Sequence, residues 1–208
     1  MAKSFRSRIS PFLGCFACLL WMTLVAVGVV SLRREESTPG PIGRSLAECP
    51  PEILGTSGLG RPHIFMAVHP RCPCTVASLE ALTEIVAQSP REAVVRLYVF
   101  RPERSATDWA RPLRQIPGSV EVIDDPGGVL SLRMGLITSG TVSAYDQEAR
   151  LRFFGGITRG RSQKSSCEGS EAVRAVANRM PPGCSTAPVY GCEIIVNADG
   201  GLEEGAGT

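Results

Sequence analysis

One long apolar run near the amino terminus is followed by several short ones. This pattern predicts one membrane-spanning helix followed by several buried strands. The run from Phe12 to Leu32 carries no charged residue and reaches the roughly 20 apolar residues that an α-helix needs to cross a bilayer. Shorter runs at 63–68 and 93–100 have the pattern of fully buried strands. Residues 119–125 alternate apolar and polar side chains, which indicates a further, shorter strand. We therefore expect a membrane anchor joined to a domain with a buried sheet.

Segments with the spacing of helices lie between these predicted strands. Leu79, Leu82 and Ile85 recur at helical intervals after the first strand, and Ser89 with the following proline ends the segment. Further helices are predicted at three places: around Thr107–Gln115, at 126–136 and near Ser170–Met180. Segments 141–146 and 150–155 flank a short polar turn and predict an antiparallel hairpin. This order predicts an α/β fold with a mostly parallel sheet covered on both faces and antiparallel character at one edge.

Composition divides the chain into five segments. Residues 35–60 hold four prolines and five glycines without a sustained apolar period, as in a tether. The last residues are polar and rich in glycine, which indicates disorder. The predicted segments are a cytoplasmic amino terminus (1–11), a transmembrane anchor (12–32), a Pro/Gly-rich linker (33–60), a folded domain (61–196) and a disordered tail (197–208).

Charges beside the apolar run predict its orientation. Lys3, Arg6 and Arg8 precede the run, whereas Arg33 and Arg34 are followed at once by two glutamates. This bias favours a cytoplasmic amino terminus and an inner-membrane protein whose carboxy-terminal domain faces the periplasm or the exterior. A cleaved signal peptide is the alternative, but the apolar region is long for one and no small-x-small cleavage site follows it.

The part beyond the anchor is mildly acidic. Five of the 22 basic residues flank the apolar run, so 17 remain against all 20 acids. No cluster of basic residues stands out, so we expect no nucleic-acid partner. Six of the eight cysteines lie in this part, and an exported compartment permits disulfides. They are Cys49, Cys72, Cys74, Cys167, Cys184 and Cys192.

Two of these cysteines, Cys72 and Cys74, lie one residue apart between the first strand and the first helix of the domain. A helix amino terminus stabilises a thiolate through unpaired N–H groups and the helix dipole. We expect Cys72 to be the attacking nucleophile and Cys74 the resolving thiol, with Thr75 supporting the helix cap. Pro73 fixes one φ inside the ring that a Cys72–Cys74 disulfide would close. That ring is expected to be strained and therefore more oxidising.

The element order, with a cysteine motif after the first strand, resembles the thioredoxin-like superfamily over roughly residues 61–180. Residues 120–156, VEVIDDPGGVLSLRMGLITSGTVSAYDQEARLRFFGG, are similar to the second half of membrane-tethered thiol-disulfide proteins of the TlpA and peroxiredoxin-like branch. The segments HPRCPCT, TSGTVSAYD, FFGGIT and YGC resemble those of bacterial RedB-type proteins. The resemblance implies thiol–disulfide exchange with a redox partner protein or a thiol substrate.

The chain departs from the thioredoxin pattern in two ways. The cysteines form C-x-C instead of C-x-x-C, and Gly140 stands where the family has a cis-proline facing the dithiol. In the family that proline shapes the docking of substrate peptides and helps keep metals out. Gly155 and Gly156 match the family's glycine loop beside the motif, and they are expected either to admit a partner's backbone or to form a bare turn.

Other pairings of the cysteines stay open. Cys72 and Cys74 would be structural if each joined a different disulfide. Cys184 and Cys192 bracket a short loop that suits a structural bridge, although Cys192 could instead fold back onto the redox motif. Cys49 and Cys167 are left unassigned.

A metal site is the rival interpretation of the motif. His69, followed by Pro70, joins Cys72 and Cys74 in a set suited to Cu(I) or zinc. The chain has only two histidines and no second C-x-C, so we expect redox chemistry without a metal or other cofactor. A copper-delivery module and a non-catalytic interaction domain remain the alternatives.

Overall fold

The computed structural model describes residues 11–55, 59–89, 93–101, 116–117 and 119–194. The chain divides into two units, with the boundary between Ser37 and Thr38. The described helices are α1 (Pro11–Ser37), α2 (Pro51–Leu54), α3 (Thr75–Gln88), α4 (Val129–Arg133) and α5 (Glu168–Ala177). The described strands are β1 (His63–Val68), β2 (Val94–Arg101), β3 (Val120–Pro126), β4 (Thr141–Tyr145), β5 (Leu151–Gly156) and β6 (Thr186–Ala187).

The amino-terminal unit is the predicted apolar helix. In the part of the chain that the structure describes, α1 is the one helix long and apolar enough to cross a membrane. Its length and composition suit a membrane anchor or a signal sequence. It continues past Leu32 to Ser37, because the charged residues after the apolar run are good helix formers. The predicted helix at Thr107–Gln115 and the predicted tail lie outside the described residues.

The second unit is built on one mixed sheet with the strand order β3-β2-β1-β4-β5-β6. β1, β2 and β3 run parallel, whereas β4 runs antiparallel to both β1 and β5. β6 pairs with β5 in parallel. A helix connects β1 to β2, a hairpin joins β4 to β5, and α5 follows that hairpin. The thioredoxin-like α/β class is therefore confirmed.

The predicted hairpin forms, but its position in the sheet differs from the expectation. Strand β4 lies in the middle of the sheet beside β1 instead of at an edge. The edges are taken by β3 and by β6, a strand of two residues that carries no recognisable apolar pattern.

Successive residues of β1 pack alternately into two hydrophobic cores, as the two-residue period of a strand requires. Ile64, Met66 and Val68 face the core formed with α3 and α5. Phe65 and Ala67 face a second core on the opposite side of the sheet. Both faces of β1 are completely buried, which explains its continuous apolar sequence.

Residues 38–55 pack against the domain, which corrects the prediction that they are a free linker. The N–H of Cys49 donates to the carbonyl of Ala149 over 2.9 Å, and the N–H of Leu151 donates to Ala47 over 2.8 Å. Cys49 and Leu54 are buried in the second core. Backbone hydrogen bonds hold this segment, and such bonds leave no apolar period in the sequence.

Candidate functional site

Cys72 and Cys74 lie in the turn between the end of β1 and the start of α3. The N–H of Cys72 donates to the carbonyl of His69 over 2.9 Å, and the N–H of Thr75 donates to the carbonyl of Cys72 over 3.0 Å. Cys74 is the residue that caps α3, and the N–H of Ser78 donates to its carbonyl over 3.2 Å. The two thiols are buried, with 3% and 5% of their surface exposed. The turn and the first turn of the helix therefore hold both sulfurs at one end of β1.

Cys72 is set up to ionise. Its pKa is lowered to about 5, chiefly because the Cys192 thiol donates a hydrogen bond to its sulfur. The backbone N–H of Cys192 also donates to this sulfur, over 3.2 Å. Weaker hydrogen bonds come from the backbone and thiol of Cys74, and burial opposes all of them. Cys72 is therefore a thiolate at neutral pH, the form that attacks disulfides.

The two neighbouring thiols keep their protons. Burial raises the pKa of Cys74, and the negative charge of Cys72 raises it further, while the Ser162 hydroxyl donates to its sulfur over 4.0 Å. The hydrogen bond to Cys72, together with burial, raises the pKa of Cys192. One thiolate thus lies between two thiols, so the three sulfurs have distinct protonation states.

A buried hydroxyl network holds the turn in place. The Thr75 hydroxyl donates to the carbonyl of His69 over 2.7 Å and lies 3.0 Å from the Ser139 hydroxyl. The Ser139 hydroxyl also accepts the N–H of His69 over 2.9 Å. Thr75 is predicted to support the helix cap. In the structure its hydroxyl instead links the turn after β1, at His69, to the segment before β4, at Ser139. The cap of α3 has no side-chain hydrogen bond.

The remaining residues of the motif have different surroundings. The His69 ring stacks on Phe100 with centroids 5.2 Å apart, and burial lowers its pKa, so the imidazole is neutral at pH 7. Pro70 is half-buried, whereas Pro73 is exposed.

Within the described ranges, no group of three or more His, Cys, Asp or Glu side chains is arranged to hold a metal. The alternative ligand set of His69, Cys72 and Cys74 is therefore not assembled in this structure.

Gly140 has a backbone conformation that suits glycine alone. Its φ is +88°, and its N–H donates to the carbonyl of Ala67 over 2.8 Å. A Cβ atom here would lie 2.8 Å from the Ser78 hydroxyl. A proline has neither this φ nor an N–H group, so the backbone at Gly140 differs from that of the cis-proline in the thioredoxin pattern. None of the described peptide bonds is cis.

Gly155 and Gly156 admit backbone, but it is the chain's own. A Cβ at Gly155 would lie 2.4 Å from the carbonyl oxygen of Ala187, and one at Gly156 would lie 2.3 Å from that of Pro188. These glycines let β6 and the residues after it approach β5. That place is therefore taken by residues 186–188.

Cys184 and Cys192 are not joined, contrary to the expected structural bridge. All the described cysteines are free thiols. The Cys184 thiol contacts the carbonyl of Glu168 over 3.6 Å at the start of α5, whereas Cys192 contacts Cys72. Directly after Cys184 the chain pairs with β5 as β6, and this pairing leads it away from Cys184 and towards the dithiol. The alternative that Cys192 folds back onto the motif is the arrangement seen.

The two unassigned cysteines have structural surroundings. Cys49 is buried in the second core, and burial raises its pKa to about 12, so it packs as a neutral apolar residue. Cys167 is the N-cap residue directly before α5. Its N–H donates to the Ser170 hydroxyl over 2.9 Å, and that hydroxyl donates to the Cys167 carbonyl over 2.8 Å.

Sequence reasoning missed Ser139 and Ser162 as site residues. Ser139 stands directly before Gly140, and only the fold brings it 3.0 Å from the Thr75 hydroxyl. Ser162 lies 88 positions after Cys74 in the chain. Neither serine belongs to a local pattern, so the sequence carries no signal for them beyond the neighbourhood of Gly140.

Comparisons with known proteins place the fold and nothing finer. No protein-family model and no curated protein matches the chain. A hypothetical protein, SMc02350, from Sinorhizobium meliloti 1021 is 19% identical with a TM-score of 0.55, covering 78% of this chain and 98% of its own. An uncharacterized conserved protein from Geobacillus kaustophilus is 15% identical with a TM-score of 0.52, covering 78% and 96%. A secreted Mycobacterium tuberculosis disulfide oxidoreductase homologous to E. coli DsbE is 18% identical with a TM-score of 0.40, covering 47% and 70%. At their identities, the likeness of the first two proteins shows a shared fold alone.

Proposed function

We propose that this chain is a membrane-anchored thiol–disulfide exchange protein that acts through Cys72 and Cys74. The observation that carries the proposal is the environment of the Cys72 sulfur, which accepts the Cys192 N–H over 3.2 Å and further hydrogen bonds from the Cys192 thiol and from Cys74. A structural cysteine in a core has a raised pKa, as Cys49 has. A lowered pKa at the junction of a strand and a helix is instead typical of a redox nucleophile.

The reaction divides between the two sulfurs of the motif. The Cys72 thiolate attacks one sulfur of a partner disulfide, the partner's S–S bond breaks, and its other sulfur leaves as a thiolate. A mixed disulfide then joins Cys72 to the partner. Cys74 gives up its proton and attacks Cys72, which forms the Cys72–Cys74 disulfide and releases the partner as a second thiolate. Two electrons pass from the protein to the partner, and the reverse sequence oxidises a partner dithiol.

The stabilised thiolate favours an oxidising direction. Every hydrogen bond that lowers the pKa of Cys72 stabilises the reduced protein relative to its disulfide. A disulfide whose reduced form is stabilised is a stronger oxidant. The closely spaced C-x-C ring adds strain to the oxidised form and acts in the same sense.

We infer that α1 anchors the domain on the exported side of the inner membrane. Three basic residues precede the apolar run, whereas the two arginines that follow it are offset at once by two glutamates, which favours this orientation. The partner class is a redox protein or a thiol substrate of that compartment, and the motif resemblance supports placing the chain near the RedB-type proteins. Pro73 and Val76 are exposed directly beside the buried thiols and give a partner apolar surface to contact.

Alkylation with and without reductant tests the proposal on the full chain in detergent. Trypsin cleaves after Arg71 and Arg91 and so releases Cys72 and Cys74 in one peptide. Thiol–disulfide exchange predicts that mild oxidation protects Cys72 from alkylation, and that it protects Cys74 as well when Cys192 is replaced by serine. Reductant should restore both thiols. Cys72→Ser should abolish the protection, and Cys184→Ser should leave it unchanged.

Two other outcomes would oppose the proposal. Stoichiometric Cu(I) binding that survives dialysis and disappears in Cys72→Ser would favour the metal-delivery alternative. Thiols at 72 and 74 that neither oxidise nor bind Cu(I) would favour an interaction domain without catalysis.

A further inference from the structure

Residues 189–194 lie along the segment that precedes β4, and Cys192 within them contacts Cys72. The N–H of Gly40 donates to the carbonyl of Val189 over 2.8 Å, which fixes the start of this segment. The N–H of Ser139 donates to the carbonyl of Cys192 over 2.9 Å, and the N–H of Ile194 donates to Ile137 over 2.7 Å. Two hydrogen bonds of opposite sense therefore hold the segment antiparallel to residues 137–139.

A glycine makes the close approach to the site possible. A Cβ at Gly191 would lie 1.9 Å from the carbonyl oxygen of Ser139, so no other residue fits there without moving the backbone. The next residue, Cys192, thereby places its N–H 3.2 Å from Sγ of Cys72. The two thiols also share a hydrogen bond.

This arrangement does more than bury the Cys72 thiolate. A backbone N–H or a hydroxyl would satisfy the thiolate equally well, yet the side chain at this point is a second thiol. Cys192 is half-buried, and only 3% of the surface of Cys72 is exposed. A sulfur held in hydrogen-bond contact with a nucleophilic sulfur needs only a small further approach to form a disulfide.

We propose that Cys192 is a third redox cysteine, which exchanges internally with the Cys72–Cys74 disulfide to give a Cys72–Cys192 disulfide. The inference rests on the proposed function of Cys72 and deepens it. The Cys192 thiol loses its proton and its sulfur attacks Sγ of Cys72. The Cys72–Cys74 bond breaks, the Cys72–Cys192 bond forms, and Cys74 leaves as a thiolate that takes up a proton. The number of disulfides is unchanged, so the step needs no further oxidant.

Cys192 loses its proton more readily when Cys72 is in a disulfide than when Cys72 is a thiolate. The Cys72 hydrogen bond and charge raise the pKa of Cys192 in the reduced protein, and both disappear once Cys72 is in a disulfide. The Arg161 guanidinium, which lowers the pKa of Cys192, remains. The released Cys74 returns to the environment of the Ser162 hydroxyl. The exchange also replaces the short C-x-C ring by a bridge between distant parts of the chain, which relieves ring strain.

The test uses the full chain in detergent with Cys74→Ser, which removes the competing disulfide. Oxidised glutathione at micromolar concentration first forms a mixed disulfide with Cys72. An intramolecular thiol acts at an effective concentration of about millimolar or more, so Cys192 should displace glutathione from Cys72. After acid quenching and alkylation, digestion with trypsin and chymotrypsin places Cys72, Cys184 and Cys192 in separate peptides. Chymotrypsin cleaves after Tyr190, between Cys184 and Cys192.

We expect the Cys72–Cys192 cross-link to exceed the Cys72–glutathione adduct by about a hundredfold or more, because an effective concentration of about millimolar exceeds micromolar glutathione by that factor. Adding Cys184→Ser should not change the ratio, and adding Cys192→Ser should leave only the adduct. Persistent adduct with an alkylatable Cys192 overturns the inference and leaves the proposed function standing. Should Cys74→Ser fold poorly, protection of Cys192 from alkylation in the oxidised wild type decides the question in the same way. A Cys72 that forms neither adduct nor any disulfide in the wild type overturns the proposed function as well.

Discussion

The backbone N–H of Cys192 lies 3.2 Å from Sγ of Cys72, although 120 positions separate the two residues in the chain. This contact and the hydrogen bond from the Cys192 thiol contribute most to the low pKa of Cys72. The strand-to-helix junction contributes a smaller share through the N–H and thiol of Cys74. The reactivity of the motif is therefore conferred largely by a distant segment of the chain.

Removing the Cys192 thiol should make Cys72 less acidic. Cys192→Ala takes away the side-chain donor and keeps the backbone N–H, so we expect the pKa of Cys72 to rise from about 5 towards its ordinary value. A rise of one pH unit in this pKa corresponds to a loss of about 1.4 kcal/mol in the stabilisation of the thiolate. The pH dependence of Cys72 alkylation, read from the tryptic peptide, gives the pKa.

Cys192→Ser separates hydrogen bonding from redox chemistry. A serine hydroxyl still donates to the thiolate, so the pKa of Cys72 should stay closer to that of the wild type than in Cys192→Ala. The cross-link to position 192 is lost in both variants. Equal pKa values of Cys72 in the wild type and in Cys192→Ala would show that the side chain does not stabilise the thiolate.

Ser139→Ala should destabilise the domain. The substitution removes the acceptor of the partly buried His69 N–H and a buried partner of the Thr75 hydroxyl. A buried polar group left without its hydrogen bond costs about 1–3 kcal/mol. Urea unfolding followed by circular dichroism measures the loss. Ser165→Ala is the matched control, because Ser165 is exposed and should change stability by less than about 0.5 kcal/mol.

A proline at position 140, where the thioredoxin pattern has one, should destabilise this chain. Gly140→Pro forces φ from +88° to about −65° and removes the N–H that donates to Ala67. We expect a loss of about 3 kcal/mol or more in the free energy of unfolding, and a smaller loss for Gly140→Ala. Gly183→Ala is the control, since a Cβ at Gly183 meets nothing within 4 Å. A stable Gly140→Pro variant would contradict the described backbone at this position.

The reduced protein should lose stability on acidification because of Cys72. Its pKa is about 5 in the folded chain and 9.0 ordinarily, so the thiolate favours the folded state fully above pH 9. This contribution declines as the pH falls and vanishes below pH 5. Relative to Cys72→Ser, the reduced wild type should gain at least about 1 kcal/mol from pH 5 to pH 9, because a pKa that is one pH unit lower in the folded chain than in the unfolded chain stabilises the fold by ~1.4 kcal/mol. Equal pH profiles of the two proteins in urea unfolding would contradict the low pKa.

The fold could be predicted where side-chain patterns are local. The apolar runs of β1 and β2 and the hairpin of β4 and β5 lie close to the predicted positions. Residues 38–55 and β6 could not be predicted, because backbone hydrogen bonds hold them to the sheet and any sequence can make those bonds. The position of β4 beside β1 depends on pairing between distant strands, which a local pattern does not record.

The site could be predicted only as far as its local motif. The spacing of Cys72 and Cys74 after a strand identified the two sulfurs and their places relative to α3. Cys192 was expected in a bridge to Cys184, because sequence distance is the only measure available before the fold is known. Ser139, at hydrogen-bond distance from Thr75, likewise depends on a contact across 64 positions.

Equilibration of the full chain with glutathione buffers of graded redox potential tests the central claim most directly. After acid quenching and alkylation, the fraction of Cys72 held in a disulfide is read from the peptide that begins at this residue, with the Cys192→Ser variant run beside the wild type. We predict a reversible two-electron transition whose midpoint lies nearer to the ~−120 mV of a strong oxidant than to the ~−270 mV of a reductant. A Cys72 that stays alkylatable at every potential would contradict the account.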